Sequence, residues 1–291
     1  MPKCISTSGC TAALAVKTTI VSTAELASHL KEWRLFDCRH DLAKPELGEQ
    51  QYREAHIPGA LFAHLDRDLS APKSGSNGRH PLPEPDAFSA WLGRAGLRPK
   101  DQVACYDAGN GSMAARLWWM LRWVGHEAVA VLDGGLAKWS KENRPLTAEV
   151  QRFPPTKFSI ALRPQMAVTI EALSRSLGNA ILLDARAPAR YRGEQEPIDP
   201  VAGRIPGALN RFNMDNIGAD GVFKPAAELK RDFDKVLAGQ APAQVVNYCG
   251  SGVAACHNLL AMELAGLPGA KLYAGSWSEW SADPKRPRER G

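Results

Sequence analysis

The sequence predicts an α/β protein built from two tandem copies of one domain, each a parallel sheet flanked by helices on both faces. Three observations predict it. Short apolar runs alternate with helical patterns along the whole chain, the signature of parallel strands joined by crossover helices. Four distinctive segments recur in the same order at nearly constant spacing. One apolar run ends in a glycine-punctuated turn that holds a cysteine, and the other copy carries an aspartate at that position.

The repeat organises the chain. Leu35-Phe36-Asp37-Cys38-Arg39 matches Leu182-Leu183-Asp184-Ala185-Arg186, and His56-Ile57-Pro58-Gly59-Ala60-Leu61 matches Arg204-Ile205-Pro206-Gly207-Ala208-Leu209. Val103-Ala104-Cys105-Tyr106-Asp107 matches Val245-Val246-Asn247-Tyr248-Cys249, and Leu132-Asp133-Gly134-Gly135 with Trp139 matches Tyr273-Ala274-Gly275-Ser276 with Trp280. Each copy opens with a helix signalled by Ser22/Thr23 or Thr169, followed by an acid at Glu25 or Glu171 in a capping pattern. A short strand ending in Asp-x-Arg follows, then a loop and the Ile-Pro-Gly-Ala turn. A helix precedes the strand that carries the key loop, and a further helix, a strand and a Gly-rich turn close the unit. These elements divide the chain into a tail (1–16), a first copy (17–145), a connector (146–166) and a second copy (167–291). The connector region holds Pro145, Pro154, Pro155 and Pro164 and reads as an extended segment laid over the surface.

Composition excludes several classes. The 291 residues suffice for two ordinary domains. The net charge of +5 comes from 36 basic and 31 acidic residues of interspersed sign, which suits a small anionic substrate and not a nucleic acid. Six cysteines at irregular spacing make neither a disulfide scaffold nor a zinc knuckle. No run approaches the ~20 apolar residues of a membrane span. A reducing cytoplasmic setting is the expectation, with the basic run Lys285-Arg286-Pro287-Arg288-Glu289-Arg290 as a solvated tail.

The chemistry concentrates in Cys249-Gly250-Ser251-Gly252-Val253-Ala254. A strand delivers Cys249 into a tight turn, and a helix from Val253 to about Ala265 points its N-terminus at the sulfur. Backbone N–H groups and a helix N-terminus both favour negative charge, so a thiolate is stabilised there as a nucleophile. Gly250 and Gly252 let the backbone close tightly. Inward amides from Gly250 to Ala254 suit a partly negative sulfur as oxyanion-hole donors suit an oxygen. Ser251 offers a hydroxyl for proton transfer. Cys256 lies two turns into the helix and reads as core. The first copy has Asp107 in place of the cysteine, in a loop that appears longer, so one copy keeps the fold and the other the nucleophile. Sites in open α/β sheets lie beyond the carboxyl ends of the strands, which places Cys249 at a cleft facing the first copy.

This arrangement resembles the two-domain rhodanese superfamily, and within it the 3-mercaptopyruvate sulfurtransferases. The Cys249–Ala255 loop, both Ile-Pro-Gly-Ala turns, Asp184-Ala185-Arg186, Arg190-Tyr191-Arg192-Gly193 and Gly275-Ser276-Trp277-Ser278-Glu279-Trp280 carry the likeness, which covers about residues 18–281. The resemblance implies a ping-pong reaction in which Cys249 takes a sulfane sulfur as a persulfide and passes it on, with no metal or organic cofactor. The acceptor it implies is thioredoxin or another dithiol, with cyanide as surrogate. It also implies a proton relay from Asp66 through His80 to Ser251, and a substrate arginine at Arg190. Members that prefer thiosulfate resemble one another in carrying cations just after the cysteine. Gly250 and Ser251 are uncharged, which favours 3-mercaptopyruvate over thiosulfate. The chain departs from the pattern at Glu196-Pro197-Ile198-Asp199-Pro200, where many members carry a second arginine, and Arg204 and Arg192 are candidates to replace it.

Three other readings compete. A tyrosine-phosphatase-like loop would end in an arginine, whereas this one runs into Ala254-Ala255-Cys256. A thiosulfate sulfurtransferase keeps every feature except the donor. A sulfur-carrier module keeps the cysteine without needing the relay.

Overall fold

The computed structural model describes residues 16–291. Most of the expected tail, with Cys4 and Cys10, lies outside them. In the first copy β1 (Ile20–Val21), α1 (Thr23–Ser28), β2 (Arg34–Asp37), α2 (Leu47–Glu54), β3 (Ala60–Phe62), α3 (Pro85–Arg94), β4 (Val103–Tyr106), α4 (Ser112–Trp123), β5 (Val129–Leu132) and α5 (Gly135–Lys141) follow in order. The second copy has α6 (Ile170–Ser176), β6 (Ile181–Asp184), α7 (Pro188–Tyr191), β7 (Leu209–Asn210), α8 (Ala226–Leu237), β8 (Val245–Tyr248), α9 (Ala254–Leu264), β9 (Lys271–Leu272) and α10 (Ser276–Trp280). The first helices open as expected: Ser22 Oγ accepts from Glu25 N–H, and Thr169 Oγ1 from Ala172 N–H.

The sheets are parallel throughout, ordered β1-β5-β4-β2-β3 and β7-β6-β8-β9. The counterpart of β1 in the second copy shrinks to one parallel bridge, Ala167 to Leu272. Side chains alternate across each sheet. Leu35, Ala104 and Trp139 belong to an outer core in the first copy, and Leu182, Val246 and Trp280 to one in the second. Phe36, Cys105, Leu183 and Val245 face inward to a single core that both copies share. Helices α4 and α9 pack together across this shared core. Trp118, Trp119, Leu259 and Met262 are buried there, and both helices are buried on nearly every side, with Arg116, His257 and Asn258 among their buried residues.

The repeated motifs turn out to be fasteners. Arg39 grips the Asp37 carboxylate and donates to Ala55 O at 2.7 Å; Arg186 grips Asp184 and donates to Gly203 O at 2.7 Å. Ile57 N–H and Ile205 N–H donate to the Tyr106 and Tyr248 hydroxyls. Each Asp-x-Arg thereby ties its central strand to the chain entering its Ile-Pro-Gly-Ala turn.

The C-terminal basic run is not a solvated tail. Trp280 Nε1 donates to Pro287 O at 2.9 Å, as Trp139 Nε1 does to Pro145 O. Arg204 forms an antiparallel bridge with Glu289, as His56 does with Thr147. The run is therefore the second copy's equivalent of the connector, which itself grips the first copy through Thr156 N–H on Gly93 O and a buried Phe158. Charge-rich sequence concealed this because the run's charged side chains also pack: Arg286 stacks over Trp280, Arg288 donates to Ser281 O, and Glu289 pairs with Arg204.

The two key loops have the same length, contrary to the sequence reading. Five residues separate β4 from α4 (107–111) and β8 from α9 (249–253). The glycines and asparagine of the first loop suggested an insertion that the backbone does not contain.

Candidate active site

Cys249 sits at the carboxyl end of β8, 3% exposed. Its Sγ accepts from Gly252 N–H at 3.1 Å. Its own N–H donates to Ser276 Oγ at 3.1 Å, and that hydroxyl donates to Tyr273 O. Trp277 N–H on Cys249 O and Ser278 N–H on Gly250 O tie the loop to the start of α10. Gly252 has φ +75°, and a Cβ there would stand 2.3 Å from Ala274 O, so no other residue fits without moving the backbone. Ser276 holds φ +54°, a left-handed position where the first copy has Gly135 at +53°. The strain coincides with the hydroxyl that fixes Cys249. Val253 is buried in the shared core, and Ala254 opens α9.

The first copy supplies an internal comparison. There Asp107 replaces the cysteine, and its carboxylate accepts from two loop amides, Gly109 (2.9 Å) and Gly111 (3.0 Å), and two in the first turn of α4, Met113 (2.9 Å) and Ala114 (3.2 Å). A carboxylate oxygen lies as many bonds from Cα as the outer sulfur of a cysteine persulfide. The first copy thus displays its loop filled by a built-in anion, while in the second only Gly252 N–H meets the shorter thiol.

The relay residues come together across the two copies. His80 Nδ1 lies 2.8 Å from Ser251 Oγ, and its Nε2 lies 3.6 Å from Asp66 Oδ1. The second distance suits charge orientation more than a tight hydrogen bond. Burial, then Arg116, lowers the pKa of His80 to about 3, against which the Asp66 charge is the smaller influence. His80 is therefore a neutral imidazole at physiological pH. Burial opposes the charge on Asp66, but Lys73 at 2.9 Å pulls its carboxyl below the ordinary range. Because His80 is neutral, Lys73 is the partner that keeps Asp66 ionised. The neighbouring carboxylate, Asp68, is occupied elsewhere, accepting from His64 N–H.

Arg190 pairs with Glu196 at 2.6 Å and Asp199 at 3.0 Å, and not with Glu194. A Cβ on Gly250 would lie 3.4 Å from its guanidinium, so Arg190 stands beside the cysteine loop. The proposed replacements for the second arginine do not. Arg204 pairs with Glu289 and stacks over Tyr191, and Arg192 pairs with Glu194 at the surface. Both face the C-terminal run: Arg204 Nη1 donates to Gly291 O, and Arg192 O accepts from Gly291 N–H. The second guanidinium at the loop is Arg79, whose terminal nitrogen would stand 2.7 Å from a Cβ on Gly250. It arrives from the first copy, where sequence spacing gives no hint of it.

Two further residues escaped sequence reading because their partners lie across the two copies. Arg116 on α4 is fully buried and donates to Gly252 O, His80 O and Leu69 O at 3.0–3.3 Å, joining the cysteine loop to the His80 segment. Asp199 bridges Arg79 and Arg190. Cys256 is core, as expected: burial raises its thiol to about 12, and its S–H donates to Gly252 O.

Among the described residues, His40, His64 and Asp66 could bring ligand atoms within 4.8 Å of one another. Asp66 N–H donates to His64 Nδ1 at 3.1 Å, which leaves the His64 proton on Nε2 and removes that nitrogen as a donor to a metal. The group reads as the shell around Asp66. A surface cavity of 700 Å³ beside Trp33 and Phe153 shares no residue with this site. A second, of 690 Å³, includes Arg79, Asp199 and Ser278 in its wall and adjoins the cysteine loop.

A family model for the rhodanese-like domain matches twice, over residues 22–142 and 169–283. The chain belongs to the rhodanese family. It is 48% identical over 274 residues, 92% of this chain and 96% of the relative, to a probable 3-mercaptopyruvate sulfurtransferase of Pseudomonas aeruginosa. It is 37% identical over 278 residues, 94% of this chain and 97% of the relative, to a putative thiosulfate sulfurtransferase of Mycobacterium tuberculosis. The solved 3-mercaptopyruvate sulfurtransferase from Leishmania major superimposes with a TM-score of 0.81 at 30% identity, covering 91% of this chain and 74% of that one. The tandem rhodanese architecture read from the sequence stands, and the chain is a sulfurtransferase of this family. No helix among the described residues is long and apolar enough to cross a membrane.

Proposed function

We propose that this rhodanese-family protein moves sulfur from 3-mercaptopyruvate through a persulfide on Cys249 to a thiol acceptor. The single observation that carries the donor choice is the neutral His80–Ser251 pair, 2.8 Å apart, beside a cysteine loop whose own residues are uncharged. Thiosulfate releases sulfite, which needs no proton on carbon. Mercaptopyruvate releases an enolate, which does.

The Cys249 thiolate attacks the donor sulfur, and the carbon–sulfur bond breaks with its electron pair passing into the pyruvate enolate. The proton from the donor thiol reaches the enolate carbon through Ser251 and His80, giving pyruvate. The outer sulfur of the resulting persulfide takes up the negative charge, and the loop amides receive it; the four amides on Asp107 support this reading. Arg190 and Arg79 offer planar donors to the donor's carboxylate. The acceptor thiolate then attacks the outer sulfur and restores the Cys249 thiolate. A dithiol such as thioredoxin releases that sulfur as hydrosulfide on closing its own disulfide. No cofactor is required, and a reducing cytoplasm would keep the thiol free.

The relatives named for mercaptopyruvate support this donor. Arg79 over Gly250 favours thiosulfate as the second reading, because it places a cation where thiosulfate-preferring members carry one. Intact-mass detection of one added sulfur on Cys249, with stoichiometric pyruvate, tests the first. A higher kcat/KM for thiosulfate than for mercaptopyruvate would overturn it, and failure of both donors would favour a sulfur carrier.

A further inference from the structure

Beside the cysteine loop stands a carboxylate that the sulfur chemistry leaves without a task. The Asp199 side chain is 2% exposed; its Oδ1 pairs with Arg79, and its Oδ2 accepts from Arg190 at 3.0 Å. Arg79 belongs to the first copy and Arg190 to the second, so Asp199 joins the copies directly over Gly250. Glu196, 4% exposed, adds a second carboxylate, with Oε1 at 2.6 Å from Arg190 and Oε2 at 3.2 Å from Arg186. The loop cannot swing freely. Pro197 and Pro200 flank it, and Ile198 and Asp199 N–H both donate to Glu196 Oε1. The 690 Å³ cavity has both Arg79 and Asp199 in its wall, and the same Arg79 guanidinium reaches Gly250, so Asp199 sits where the cavity meets the arginines of the loop.

We propose that Asp199 is a specificity residue for the sulfur donor, a fixed negative charge that lets a singly charged donor reach the arginines and discriminates against a doubly charged one. The inference rests on the function proposed above and names how that site chooses its substrate. Coulomb repulsion scales with the product of charges, so a thiosulfate dianion meets twice the repulsion of a mercaptopyruvate monoanion at the same distance. A carboxylate donor can still use the guanidinium N–H groups that Asp199 leaves open, since each guanidinium carries five.

The test compares wild type, D199N and D199E with each donor, using cyanide as acceptor. In a ping-pong reaction the donor's kcat/KM reports only the loading of sulfur onto Cys249. In D199N the thiosulfate-to-mercaptopyruvate ratio of kcat/KM should rise roughly tenfold, the equivalent of about 1.4 kcal/mol. D199E should keep the wild-type ratio. A ratio that is unchanged or falls in D199N overturns the proposal. Protection of Cys249 from iodoacetamide supplies a readout free of turnover. In the wild type, pyruvate should protect better than sulfate at equal concentration, and D199N should erase that difference. Sulfate protecting as well as pyruvate in the wild type overturns the proposal even if D199N does not fold. If neither donor loads sulfur, the proposed function fails, and the protection measurement still decides the role of Asp199.

Discussion

Asp107→Asn tests the anion cradle without touching the nucleophile. The substitution is nearly isosteric, but it turns one carboxylate oxygen into an NH2 group. If Oδ2 is lost, Met113 and Ala114 N–H, at 2.9 and 3.2 Å, face two hydrogens instead of an acceptor; if Oδ1 is lost, Gly109 and Gly111 N–H do. Hydrogen bonds to a charged group contribute about 1.5–3 kcal/mol each, so two lost bonds set a range of about 3–6 kcal/mol. Backbone relaxation in the loop lowers this toward about 3 kcal/mol. Urea unfolding followed by tryptophan fluorescence suits the measurement, because Trp33, Trp91, Trp118, Trp119, Trp123 and Trp139 lie in the first copy and only Trp277 and Trp280 in the second. The shared core couples the copies, so the midpoint and slope should be compared along with any extrapolated free energy. The alkylation rate of Cys249 should stay within about twofold of wild type, since the lost interactions belong to the other loop. A destabilisation under about 1 kcal/mol would refute the reasoning, because it would mean the four amides gain little from an anion.

Cys249→Asp places the first copy's anion in the second copy's loop; it should be inactive, yet unfold at a higher temperature than Cys249→Ser, and an equal or lower midpoint would count against a persulfide-shaped cradle. His80 has its pKa depressed to about 3 from an ordinary 6.5, chiefly by burial. A histidine depressed in the fold contributes stability that is present above its unfolded value and is lost as pH falls toward the folded one. The wild type should therefore lose stability relative to His80→Gln on going from pH 7 to pH 5, by up to about 1.4 kcal/mol per pH unit below 6.5. A difference in melting temperature that stays constant with pH would show that His80 is not held neutral.

The tandem fold was legible in the sequence because its determinants are local. The short apolar runs of β2, β4, β6 and β8, caps at Ser22 and Thr169, and paired Asp-x-Arg and Ile-Pro-Gly-Ala segments all act within a few residues or repeat at a constant offset. Cys249, Gly250, Ser251 and Gly252 were legible for the same reason, since one strand, one turn and one helix N-terminus define them. The run after Trp280 misled because charge patterning says nothing about backbone acceptors such as Pro287 O.

What the sequence by itself determined is therefore the domain, its duplication and the position of the nucleophile within one copy. What only the tertiary structure decided is the company that nucleophile keeps. His80, Arg79 and Arg116 reach the loop from the first copy, and Asp199 meets Arg79 only because α4 and α9 pack face to face. Contacts between copies depend on how two finished surfaces meet, and no periodicity along either strand or helix records that. Arg204 and Arg192 were near in sequence and remote in function, whereas Arg79 is remote in sequence and touches the loop.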